Sequence, residues 1–197
     1  EQMLADARSV NEGLPPAKRI RVILGDPPVD WSEVTSPAHE DMNDWRDAHF
    51  AHVIEREVMR RGERALILIG GAHISRNVIF PNSLIHLLDL RFPGQTWVAG
   101  VLDPERIEPE ISSQLRAITA PAGTSVRNTW LGKLAVRRIG FTLSTGEVEN
   151  DVDALLLLTL SPLHAQPPAP LDPAYERELM RRRALAGTTL PFRGAKI

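Results

Sequence analysis

His73 and the pair Arg46-Asp47 are the side chains of this 197-residue chain best suited to chemistry. His73 closes the stretch Ala65-Leu66-Ile67-Leu68-Ile69-Gly70-Gly71-Ala72-His73, in which five apolar residues run into two glycines. A histidine near its ordinary pKa serves as general base, general acid or metal ligand. Arg46 sits where the first turn of a helix is expected, and there the macrodipole disfavours a cation by up to ~1 kcal/mol. A cation in that place calls for a partner: Asp26, Asp47 or an anionic ligand. Asp47 is accounted for by the dipole alone, or it is a site carboxylate.

The loop Gly25-Asp26-Pro27-Pro28-Val29-Asp30-Trp31 adds further candidates. Asp26 is either a turn residue before two prolines or a carboxylate at the carboxyl end of a strand. Trp31 either covers the edge of the core or stacks on a substrate. Gly70 and Gly71 permit close backbone approach or positive φ. The expected catalytic set is therefore His73, Arg46 and Asp47, with Asp26, Asp30, Trp31 and Gly71 as substrate-binding residues.

Other combinations fall short. His49 and His52 are three residues apart on one helix, but no carboxylate at ligand spacing completes a tetrahedral metal site, so solvent exposure is the simpler expectation. Ser75 lacks the G-x-S-x-G context of a nucleophile elbow. Gly70-Gly71 lacks the remaining glycines of a dinucleotide fingerprint, and there is no P-loop. Arg181-Arg182-Arg183, among acidic neighbours, reads as a solvated helix face.

Elements that bring these residues together follow from the apolar pattern. Ile20 to Leu24 forms a short strand, stopped by Pro27-Pro28. From Asp44 to Arg61 the period becomes helical: Phe50, Val53, Ile54 and Val58 fall on one stripe, Asn43 or Asp44 caps the start and Gly62 the end. Residues 65–69 read as a strand covered on both faces. In a right-handed β-α-β unit the two strand ends and the helix N-terminus share one edge, which places Asp26, Arg46, Asp47 and His73 in one neighbourhood. Further helices are expected at 1–14, 83–90, 109–117 and 175–185, and strands at 96–102, 136–145 and 153–160. The expected fold is α/β, a mostly parallel sheet with helices on both faces. Residues 1–197 form a single unit with a proline-rich arm at 162–172, suited to clasping a neighbouring domain or a second copy.

Composition excludes more than it selects. With 43% hydrophobic and 24% charged residues the chain is ordinary globular material. A net charge of −2 provides no field for nucleic acid. The absence of cysteine rules out disulfides and thiolate chemistry without fixing a compartment. No apolar run approaches the ~20 residues of a membrane span.

Arg46-Asp47-Ala48-His49-Phe50-Ala51 on a helix, followed by Gly62 and the strand into Gly70-Gly71-Ala72-His73-Ile74, resembles the erythromycin esterase-like family and its TraB/Tiki and ChaN-like relatives. Members carry Arg-Asp, two residues and Met-Ala on a helix, then a strand entering a histidine motif. Asp153-Ala154-Leu155-Leu156 resembles a late strand reading Asp-Ala-Leu. The likeness covers residues 20–75 well and 150–185 loosely. It implies a pocket containing Arg46, Asp47 and His73, with water-mediated ester or amide hydrolysis and Arg46 stabilising oxyanion charge.

The sequence also departs from that family. Gly70 and Gly71 stand where the esterases have His and Asn, and Val53 replaces an Asn. No Gly-Glu-x-x-His segment, which supplies the water-activating histidine and its carboxylate, occurs in these residues. Because the chain starts with Glu1 inside an expected helix, it is expected to be the second half of a larger domain, with His73 assisting a base from an upstream segment. A divalent ion or haem is an implied cofactor. The alternative function is a non-enzymatic module binding haem or another small ligand.

Overall fold

The computed structural model describes residues 2–30, 32, 34, 46–77, 82–141, 143–159 and 172–185. Its helices are α1 (Gln2–Glu12), α2 (Arg46–Glu57), α3 (Gly71–Ile74), α4 (Leu84–Arg91), α5 (Pro109–Leu115), α6 (Val148–Asp151) and α7 (Pro173–Leu185). Its strands are β1 (Ala99–Val101), β2 (Ala122–Ser125) and β3 (Ala154–Leu157).

Residue chemistry accounts for the main elements. In α2 the inward stripe buries Phe50, Ala51 and Val53, and these pack on Leu84 and Leu88 of α4. A 3-10 turn at Met59–Arg61 follows, closed by Gly62 at φ +63°, a left-handed position that glycine takes without cost. Pro109 opens α5, where its missing N–H is harmless. Ile111 and Leu115, one turn apart, are then both buried. In α7, Asp172 accepts the N–H groups of Ala174 and Tyr175 as a cap. Hydrogen bonds from Arg181 and Arg182 hold the Glu178 carboxyl down to about 2.

Among the described residues the sheet has three strands in the order β1-β3-β2. β3 lies at its centre, parallel to β1 and antiparallel to β2. Leu155 and Leu157 of β3 join Val126, Ile139, Val148 and Val152 in the larger hydrophobic core.

This corrects the expected α/β fold with a mostly parallel sheet and helices on both faces. Only one pair of strands is parallel, and the sheet is small and mixed. Residues 20–24 and 65–69 are not in strands and have no ladder partner among the described residues. They are not covered on both faces either: Leu24 is 86% and Leu66 85% exposed. Apolar, branched residues state what burial would be worth, but a strand exists only where a second backbone edge pairs with it.

The expected strand at 136–145 is also corrected. Val136–Ile139 is a 3-10 turn ended by Gly140 at φ +89°. Val136 and Ile139, each 1% exposed, sit three residues apart, which matches the 3-10 period rather than an alternating strand. The expected caps Asn43 and Asp44 and residues 162–171 of the proline-rich arm lie outside the described residues. No described helix is long and apolar enough to cross a membrane.

Candidate functional site

The first turn of α2 and the single turn of α3 meet through their side chains. His73 Nδ1 is hydrogen-bonded to Asp47 Oδ1. An ionised carboxylate can only accept, so Nδ1 carries the hydrogen, and in the neutral tautomer that this bond selects the lone pair is on Nε2. The side chains are partly screened, with 28% of His73 and 22% of Asp47 exposed. Phe50, one turn after Arg46, stands edge-on to the imidazole, with centroids 5.7 Å apart and planes at 88°. Arg46 lies over the same ring at 5.5 Å and donates to Asp26 Oδ1 at 2.6 Å. One core aromatic thus touches both the cation and the imidazole.

The expected neighbourhood of Asp26, Arg46, Asp47 and His73 is therefore found as two polar pairs connected through Phe50. Asp26 occupies the partner role that the dipole argument required for Arg46. This pair is open to water, with 38% of the Arg46 side chain and 70% of the Asp26 side chain exposed, so it positions rather than stabilises. Asp30 accepts the N–H and hydroxyl of Ser32 in a local turn. Trp31 lies outside the described residues.

Gly70 and Gly71 do not have the expected role. Gly70 has φ −61° and ψ 145°, an extended conformation open to any residue, and Gly71 begins α3. A Cβ on Gly71 would meet nothing within 4 Å, and one on Gly70 only the His73 ring at 3.6 Å. Neither positive φ nor close backbone approach explains them. Gly71→Ala should then fold normally and melt at the wild-type temperature or slightly above it, because alanine costs ~0.5–1 kcal/mol less than glycine in a helix. A lowered melting point would show that this turn depends on the glycine.

The far end of α3 is fixed by a network that the sequence did not mark. Ser75 Oγ and Ser144 Oγ donate to Asp151 Oδ1 at 2.6 and 2.7 Å, and the Asn77 N–H joins them at 2.9 Å. Arg76 donates to Asp89 at 2.8 Å and to Asp153 at 2.9 Å. Burial pulls the Arg76 pKa down, but these two bonds outweigh it and leave the guanidinium above its ordinary value. His73 is thereby held between Asp47 on one side and the Ser75–Asp151 contact two residues further on. Asp151 is fully buried, yet it stands in an unremarkable Glu-Asn-Asp stretch, so only its depth reveals it.

A cleft of about 620 Å³ adjoins this turn. His73, Ile67, Ile69, Val101, Phe141 and Leu143 contribute to its walls. Arg106 and Asp103, 3.3 Å apart, also line it. Most of that lining is apolar, as is usual for sites that take small molecules.

The described donors do not assemble a site for the divalent ion that the family resemblance allows. No cluster of three or more His, Asp or Glu side chains occurs among the described residues, and Asp47 and His73 are engaged with each other. His52 is exposed and His49 half-buried on α2. Compared with protein-family models, with curated proteins and with solved structures, the chain matches none, so the likeness to the erythromycin esterases rests on its short motifs.

Proposed function

We propose that the chain acts as a hydrolase of the erythromycin esterase type, cleaving an ester or amide with a water molecule. The observation that carries the reading is the bond from His73 Nδ1 to Asp47. It leaves Nε2 as the free base in a residue that also lines a cleft of substrate size.

In this mechanism Nε2 takes a proton from water as the water oxygen bonds to the substrate carbonyl carbon. The carbonyl π pair moves onto its oxygen, giving a tetrahedral oxyanion. Asp47 stabilises the imidazolium that forms, as an orienting carboxylate does in other base dyads. Collapse of the oxyanion breaks the bond to the leaving group, which receives the proton from Nε2. The family resemblance assigns the oxyanion to Arg46, which here donates to Asp26, while Arg106 is the arginine lining the cleft; either charge would favour an oxyanion within its reach. Histidine and carboxylate then both come from this chain.

The test is hydrolysis of p-nitrophenyl butyrate and of the matching anilide by the wild-type chain and by Asp47→Asn. Asparagine can present its amide N–H to Nδ1 and favour the wrong tautomer. The loss expected in kcat is about 10²–10⁴-fold with KM little changed. Wild-type chain that splits neither substrate, or an Asp47→Asn variant within threefold of wild type, would remove the dyad from the reaction.

A further inference from the structure

Asp151 presents a problem that its hydrogen bonds do not solve. Its side chain is 0% exposed, and Ser75, Ser144 and the Asn77 N–H all donate to the same oxygen, Oδ1. Oδ2 is buried with no partner among the described residues. No described cation forms a salt bridge with this carboxylate either. Arg76 gives it only a backbone N–H, to the Asp151 carbonyl oxygen at 3.3 Å, while its guanidinium is taken by Asp89 and Asp153. Buried carboxylates are ordinarily paired, because leaving water unpaired is costly. Asp151 and Ser144 belong to the wall of the cleft of about 620 Å³, whose other walls are largely hydrocarbon.

We propose that Asp151 anchors a binding site for a primary amine carried on an apolar chain. The apolar body lies against Ile67, Ile69, Phe141 and Leu143, and the ammonium group supplies the cation and the donor that Oδ2 lacks. An ammonium is favoured over a hydroxyl because Oδ1 already holds three neutral donors, whereas the charge has no counterpart. Charge-assisted bonds are about twice as strong as neutral ones. An anionic head group is disfavoured at the same place.

The site extends the hydrolase reading, since His73 lines the same cleft and an amine-bearing ester or amide would be held there for attack. Binding is measured without turnover, so the two readings fail separately. A chain that binds the amine but splits no ester retires the hydrolase alone.

Calorimetric titration of the intact chain with n-octylamine, n-octanol and octanoate tests the proposal. Octylamine should bind at least about tenfold tighter than octanol, as expected for a charge-assisted bond, and octanoate should not bind. Asp151→Asn should bring the amine to the level of the alcohol. Leu143→Trp, which puts a bulkier side chain on the cleft wall and leaves Asp151 intact, should weaken amine binding even if Asp151→Asn does not fold. Equal affinity for amine and alcohol, amine binding kept by folded Asp151→Asn, or amine binding undiminished in Leu143→Trp each overturns the assignment.

Discussion

His73→Ala is expected to abolish ester hydrolysis, lowering kcat about 10²–10⁴-fold, while the chain still unfolds cooperatively within a few degrees of wild type. Both halves of that expectation follow from the geometry. The imidazole is the group that would accept the proton of water. Its structural contribution is modest: one hydrogen bond and one edge-on contact with Phe50, each worth about 0.5–1.5 kcal/mol. Asp47 is partly exposed, so water can satisfy it once the ring is gone. Partial recovery of activity on adding free imidazole would separate loss of the base from distortion of the cleft. Loss of the cooperative transition along with activity would instead assign His73 to folding.

Gly132→Ala should be the most destabilising single-methyl addition among the described glycines, at about 3 kcal/mol or more. A Cβ built there lies 2.1 Å from the Val126 carbonyl oxygen and 3.0 Å from Glu149 Cβ. Overpacking against movable side chains costs about 1–3 kcal/mol, and here the nearest neighbour is backbone that cannot rotate away. Backing off is blocked from both sides. The Gly132 N–H is held by Thr129 Oγ1 at 3.1 Å, and its carbonyl accepts the Glu149 N–H at 3.0 Å. Val126, 0% exposed, belongs to the sheet core, so displacement would open the packing between β2 and α6. At about 2–4 °C per kcal/mol for a chain of this size, the melting point should fall by roughly 5–15 °C. A variant melting within 2 °C of wild type would show that the turn at 126–132 relaxes freely.

Some of this was legible in advance. The period of Phe50, Val53 and Val58 announced α2, while Gly62 closes the 3-10 turn that follows it rather than α2 itself. Asp47 and His73 do lie together, but the two strands from which their meeting was argued are not formed, so the strand–helix–strand argument is not what accounts for the contact. Where the reading failed, the missing information was non-local. Residues 65–69 have the composition of a buried strand, but pairing depends on another backbone edge that composition does not describe. Val136 to Leu143 alternates poorly, and burial at 136 and 139 resolves it as a tight turn. β2 is Ala-Gly-Thr-Ser, with no apolar run to announce it; it exists because β3 has an edge to fill. Ser75 is a buried donor to Asp151 rather than a nucleophile, a role that its neighbours in sequence do not signal.

Phe50 gives the site a property that loops rarely have. It belongs to the cluster that packs α2 on α4, together with Ala51, Leu84 and Leu88, and its ring edge meets His73. A close-packed core fixes its side chains to fractions of an ångström, because any larger shift opens a void or a clash. The bearing of the imidazole therefore inherits the tolerance of helix packing rather than that of a four-residue turn. Chemistry that needs an atom aimed within about half an ångström can then be carried on a turn too short to be rigid by itself.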